Sequence, residues 1–118
     1  MLEVTFFRDD EDRPAGIIAQ GHTDFDAHGR DIVCAAVSAI LQAARLGLSE
    51  CAHARLEATQ QPGELKLDWQ ERERNRESVR AIVGTAELAI EQIAARFPKH
   101  VRVKRVTPLT QRRSDDHV

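Results

Sequence analysis

The chain has 118 residues, of which 42% are hydrophobic and 31% charged, and its formal net charge is −2. That is the size of one domain, long enough to bury a core without metal or disulfide staples, and the charge lacks the strongly basic footprint of a nucleic-acid binder. Aromatics make up only 4%, so the core must be built from Val, Ile, Leu and Ala.

Leu2 to Phe7 alternates, with Leu2, Val4 and Phe6 facing one way and Glu3, Thr5 and Phe7 the other; this is the pattern of a half-buried strand. The short apolar start is interrupted by Glu3 and Arg8, so it does not read as a signal peptide. Asp9 to Pro14 is polar and reads as a turn. Ala15 to Gln20 makes a second strand and closes a hairpin.

Gly21 to Arg30 has no periodicity and holds Gly21, His22, Asp24, Asp26, His28 and Gly29. It reads as a loop dense in reactive side chains. From Asp31 the period becomes helical: Val33, Ala36, Val37, Ile40, Leu41 and Ala44 form one stripe. Asp31 is placed as the N-cap and Gly47 as the C-terminal stop.

Ala52, Ala54, Leu56 and Ala58 alternate with His53, Arg55 and Glu57 and predict a third strand. Gln61-Pro62-Gly63 is a turn signal, and Leu65 and Leu67 continue a fourth strand. Val79, Ile82, Val83, Ala86, Ile90, Ile93, Ala94 and Phe97 mark a long second helix ended near Pro98. Val101 and Val103 suggest a fifth strand. The segment 108–118 reads as a disordered polar tail.

The expected order is ββαββαβ, an α+β domain over residues 1–107 with a mainly antiparallel sheet packed against two α-helices. The two ββα units are alike in shape, with no repeated motif. No apolar run approaches the ~20 residues of a membrane span, which places the protein in the cytoplasm. The basic residues Lys99, Arg102, Lys104, Arg105, Arg112 and Arg113 read as a solvated strand face and tail. If Cys34 and Cys51 flank the first helix they lie about 20 Å apart at ~1.5 Å per residue, too far for an internal disulfide. Cys51, at the start of a strand, is assigned no function.

Cys34 falls three residues after the expected cap, in the first helical turn. Unpaired N–H groups and the positive end of the helix dipole favour a thiolate there, and the same N–H groups suit an oxyanion. An imidazole nearby deprotonates the thiol and later protonates the leaving amine. His22 is preferred for that role over His28, because it directly follows a strand that fixes its backbone. On residue pattern alone a buried, inert cysteine and a metal site built from His22, Asp24, Asp26, His28 and Cys34 remain alternatives, although the spacing matches no compact zinc motif.

The stretch Gly21-His22, followed by Gly29-Arg30-Asp31-Ile32-Val33-Cys34-Ala35-Ala36-Val37-Ser38, resembles the signature of the Prp family of ribosomal-processing cysteine proteases. The family pattern is a Gly-His pair, a loop, then Gly-x-Asp-Ile-Val-Cys-Ala-Ala-Val-Ser; Thr23 stands where the family pattern has Ala. The resemblance covers about residues 1 to 107. It implies a His22–Cys34 catalytic pair, no cofactor and no metal, and a homodimer. The implied substrate is the N-terminal extension of large-subunit ribosomal protein twenty-seven, cut after a Phe-Phe pair. No direct nucleic-acid or membrane partner is expected. The competing function is a non-catalytic ribosome-assembly module on the same fold.

Four further positions carry paired readings. Asp31 either caps the helix or orients His22. Ser38, one turn after Cys34, either hydrogen-bonds near the site or bonds its own helix. Gly21 and Gly29 are hinges of a closing loop or simple turn residues. Phe25 either helps form a pocket for a substrate phenylalanine or anchors the loop.

Overall fold

The computed structural model describes residues 1–21 and 32–107. Five strands and two long helices appear in the expected order: β1 (Leu2–Arg8), β2 (Pro14–Gly21), α1 (Ile32–Leu46), β3 (Leu56–Gln61), β4 (Glu64–Trp69), α2 (Glu71–Arg74), α3 (Glu77–Arg96) and β5 (Val101–Val106). The sheet runs β3-β4-β2-β1-β5. All neighbours are antiparallel except β1 and β5, which are parallel. The parallel pair follows from the topology, because the chain returns to the β1 edge only after the α3 crossover.

The period-2 pattern decides which face of the sheet is buried. Register pairs Val4 with Ala19, Phe6 with Ile17, Ala19 with Leu65 and Ile17 with Leu67. These residues, with Leu2, Trp69 and Val101, form one buried face. Val33, Val37, Leu41 and Leu48 from the first helical segment, and Val79, Val83 and Ile90 from α3, complete the same cluster. The predicted inward set of β1, namely Leu2, Val4 and Phe6, is buried throughout. The Trp69 indole N–H donates to the Pro14 carbonyl at 2.8 Å and ties β4 to the start of β2.

The β1–β2 turn is organised by Asp9. Its Oδ1 accepts from the N–H of Glu11 at 2.9 Å and of Arg13 at 3.0 Å, and its Oδ2 pairs with Arg13 and Arg74. Burial pushes the Asp9 carboxyl up, but the N–H groups of Arg13 and Glu11, with the Arg74 and Arg13 side chains, together hold it below its ordinary value.

Three expectations are corrected. Gly47 does not stop the first helix: the chain continues through one π-helical turn, Gly47–Cys51, with Ala52 N–H bonded to the Gly47 carbonyl at 2.9 Å. A glycine ends a helix by going left-handed. Here the reversal falls instead on His53, at φ 51°, while Gly47 packs beside Ile82, which a Cβ on it would meet at an ordinary contact distance of 3.4 Å. Cys51 therefore ends a helical turn, exposed, and does not start a strand.

The third strand begins at Leu56, not Ala52. Ala52 and Ala54 are buried in the irregular segment that follows the π turn. That segment is held by Glu73, whose Oε2 accepts from Arg55 N–H at 3.1 Å, and by Arg76, which bonds both Glu73 and the Ala52 carbonyl. Arg76, then the Arg55 N–H, keep the Glu73 carboxyl below its ordinary range.

Finally, Ile32–Cys51 is a continuous helical stretch of 20 residues with mean hydropathy 1.7, long and apolar enough to cross a membrane by length and composition. No unbroken apolar run revealed it, because Gln42, Arg45 and Glu50 interrupt the stretch while its many alanines raise the mean. In this fold one stripe of it, Val33, Val37, Leu41 and Leu48, lies in the core against the sheet.

Candidate active site

Helix α1 lies across the sheet beside α3 and leaves the edge strand β3 uncovered. All but the first residue of β3 are exposed, Ala58 included. Between α1 and this overhanging edge runs a cleft of about 160 Å³. Its apolar floor is made by Leu2, Ala19, Val37, Leu41 and Leu65, and its α1 wall by Cys34, Ser38 and Gln42.

Cys34 is the third residue of α1 and is half-buried on this wall. Its N–H is among the first four of the helix, which have no acceptor inside it, and the positive end of the helix dipole lies at the same turn. Ser38 sits one turn further along the same face. Half-buried Cys34 and exposed Ser38, both capable of hydrogen bonding, therefore stand above an apolar floor, the usual composition of a small binding site.

The other side of the cleft is the tip of the β3–β4 hairpin. Gly21, the last residue of β2, donates its N–H to the Gly63 carbonyl of this tip at 2.9 Å. Gly21 has φ +98°, and a Cβ there would lie 2.4 Å from the Met1 carbonyl oxygen. Only glycine fits both the backbone angle and this close approach. On the far face of the sheet, Gln20 and Gln61 each donate to Glu64 at 2.9 Å, bracing the same junction. These two amides hold the Glu64 carboxyl below its ordinary value.

Of the residues singled out from the sequence, Gly21, Cys34 and Ser38 are thus brought around one cleft. His22, Phe25, Gly29 and Asp31 lie outside the described residues. Sequence reasoning missed the hairpin tip, Gln60 to Leu65, as part of this site. The Gln61-Pro62-Gly63 signal announced a turn, but nothing in it said that the turn would close against Gly21. Among the described residues no cluster of three or more His, Cys, Asp or Glu side chains is arranged to hold a metal ion; of the proposed ligand set only Cys34 falls within them.

The sequence model of the family "cysteine protease Prp" matches residues 1–102. The chain belongs to the Prp family. It is accordingly a cysteine protease, a hydrolase of peptide bonds. Among solved structures, that of SMU.848 from Streptococcus mutans superposes with a TM-score of 0.81 at 25% identity, covering 91% of this chain and 98% of that one. The essential ribosomal-processing protease Prp from S. aureus, bound to a covalently linked product peptide, superposes with a TM-score of 0.77 at 22% identity, over 90% of this chain and 100% of that one. The same S. aureus protease with a substrate peptide gives 0.75 at 21% identity, over 90% and 100% of the two chains. At these identities the S. aureus structures establish the shared fold. No curated protein matches the chain.

Proposed function

We propose that this Prp-family protease removes the N-terminal extension of large-subunit ribosomal protein twenty-seven, cutting after a pair of phenylalanines, with His22 as base and Cys34 as nucleophile. The observation that carries this reading is the position of Cys34: first turn of α1, on the wall of a cleft with an apolar floor whose lining includes Gly21, the residue before His22. The S. aureus Prp, which shares the fold, is described as a ribosomal-processing protease and was captured with substrate and product peptides.

In the proposed reaction His22 takes the Cys34 thiol proton and Sγ attacks the carbonyl carbon of the second phenylalanine. The resulting oxyanion is stabilised by N–H groups of the first helical turn. The imidazolium then protonates the leaving amine, the C–N bond breaks and a thioester remains. Water, deprotonated by His22, attacks the thioester and releases the acid and Cys34. In this scheme Asp31 caps α1 or orients His22, Ser38 hydrogen-bonds near the reacting groups, and Gly21 and Gly29 bound the substrate loop. Phe25 supplies part of the pocket for a substrate phenylalanine. The protein acts as a cytoplasmic homodimer.

The test incubates the protein and its Cys34→Ala and His22→Ala variants with a peptide carrying the Phe-Phe extension. Cleavage by the wild type alone is expected. Cleavage by Cys34→Ala removes Cys34 as nucleophile, and absence of cleavage by all three, with the peptide still bound, favours the non-catalytic assembly module.

A further inference from the structure

Cys34, Ser38 and Gln42 follow one another at four-residue steps along α1, and all three line the cleft. Across the cleft, in a solvent-exposed contact, Gln42 Nε2 donates to Gln60 Oε1 at 3.1 Å and Arg45 Nη1 reaches the same oxygen at 3.4 Å. This bridge spans from α1 to the edge strand β3. Gln60 is paired with Leu65, which is buried on the helix side of the sheet, so Gln60 also stands on that side. The cleft lining thus combines hydrocarbon from Leu2, Leu41 and Leu65 with the side-chain amides of Gln42 and Gln60.

The space is narrow. At about 160 Å³ it falls well below the ~300–1,000 Å³ of small-molecule sites and suits a single side chain. With Gln60 Oε1 occupied by two donors, Gln60 Nε2 and Gln42 Oε1 have no partner among the described residues. They remain as one donor and one acceptor for a polar tip.

We infer that the Gln42–Gln60 bridge is the specificity-determining end wall of the substrate cleft, setting its depth at a one-ring side chain and accepting a ring with a polar tip, tyrosine as well as phenylalanine. The inference rests on the reading that the Cys34 cleft receives the substrate. A phenylalanine tip displaces water from the wall and gives nothing back, whereas a tyrosine hydroxyl replaces that water with a hydrogen bond. A larger indole meets the cross-link itself.

The test measures affinity by fluorescence polarisation in the Cys34→Ala background, so that it does not depend on catalysis. The probes are labelled Phe-Phe extension peptides in which each aromatic position in turn is Phe, Tyr or Trp. At one of the two positions, tyrosine is expected to bind within about threefold of phenylalanine, and tryptophan at least about tenfold more weakly. Combining Gln42→Leu with Gln60→Leu shifts the Phe:Tyr ratio at that position toward Phe by about tenfold. Gln60→Ala, which opens the wall, recovers tryptophan binding. Thermal unfolding at the parent temperature shows that each variant is folded. Ratios that stay at the parent values in folded variants overturn the inference. Shifted ratios in a protein whose Cys34-containing form cleaves none of the peptides retain the end wall while the protease mechanism fails.

Discussion

Gly21 is the residue on which the site turns. It ends β2 directly before His22, its N–H is tied to the β3–β4 tip, and the Met1 carbonyl oxygen lies 2.4 Å from where a Cβ would sit. It is therefore better read as a fixed anchor than as a hinge. Gly21→Ala is expected to lower stability by about 1–3 kcal/mol from the positive φ alone, with more from the backbone contact. Peptide cleavage should fall further than stability explains, because the backbone before His22 shifts. Chemical denaturation and kcat, measured on the same preparation, check both parts.

Two buried acidic residues give the fold a pH dependence. Asp9 and Glu73 are held below their ordinary values of 3.8 and 4.5. Each is more acidic folded than unfolded, so the unfolded chain binds more protons as pH falls. Their stabilisation is present above those ordinary values and is lost as pH drops through the lower folded ones. Melting temperature should therefore hold near neutrality and decline below about pH 4.5. Asp9→Asn should show a shallower acid decline from a lower starting point.

Among the elements, the β3–β4 hairpin has the largest functional consequence. It supplies no residue to the recognised motif, yet it forms one side of the cleft and the end wall at Gln60. Its other end is fixed by Trp69, whose indole N–H satisfies the buried Pro14 carbonyl. Trp69→Phe leaves that carbonyl unpaired and should cost about 1–3 kcal/mol, readable as a lowered urea midpoint at unchanged m-value. The helix pair shows how local pattern and tertiary need diverge. The apolar stripe of α1 was legible at 3.6-residue spacing, and its members Val33, Val37, Leu41 and Ala44 are buried. The end of the helix was not legible, because a glycine reads locally as a stop signal and nothing near it in sequence says that the chain continues through a π turn. The short helix α2, ERER in sequence, has no apolar period to announce it; Glu73 is buried there through its bonds to Arg55 and Arg76.

In the molecule as a whole, two helices cover one face of five strands, and the overhang of β3 beyond α1 makes the cleft. The outer side of the helix layer is also apolar: Ile32 is 65% exposed, Leu46 60% and Leu88 63%. Ile32, Ala36, Ala43 and Leu46 share one stripe of α1, and Ala81, Thr85 and Leu88 share one of α3. A second copy of the chain, as in the proposed homodimer, is the expected occupant. Combining Leu46→Asp with Leu88→Asp should convert dimer to monomer in analytical ultracentrifugation without lowering the melting temperature of the monomer. A dimer that survives both changes places the interface elsewhere.

By itself the sequence determined the five strands and two long helices, their order and the cysteine-protease family. Alternation and helical period are local properties, written within a few residues of each other, and the run from Gly29 to Ser38 carries the family signature in contiguous residues. The tertiary structure decided the rest: that β4 docks on β2, that β5 runs parallel to β1, and that the Gly63 turn closes on Gly21. Alternation says which face a residue takes but not which strand is its neighbour, since pairing depends on contacts between distant segments. The same limit applies to the site. Cys34 was marked by its motif, whereas the floor of Leu2 and Leu65 and the Gln60 wall have ordinary local patterns, and only the closing of the sheet beneath α1 brings them to the cysteine.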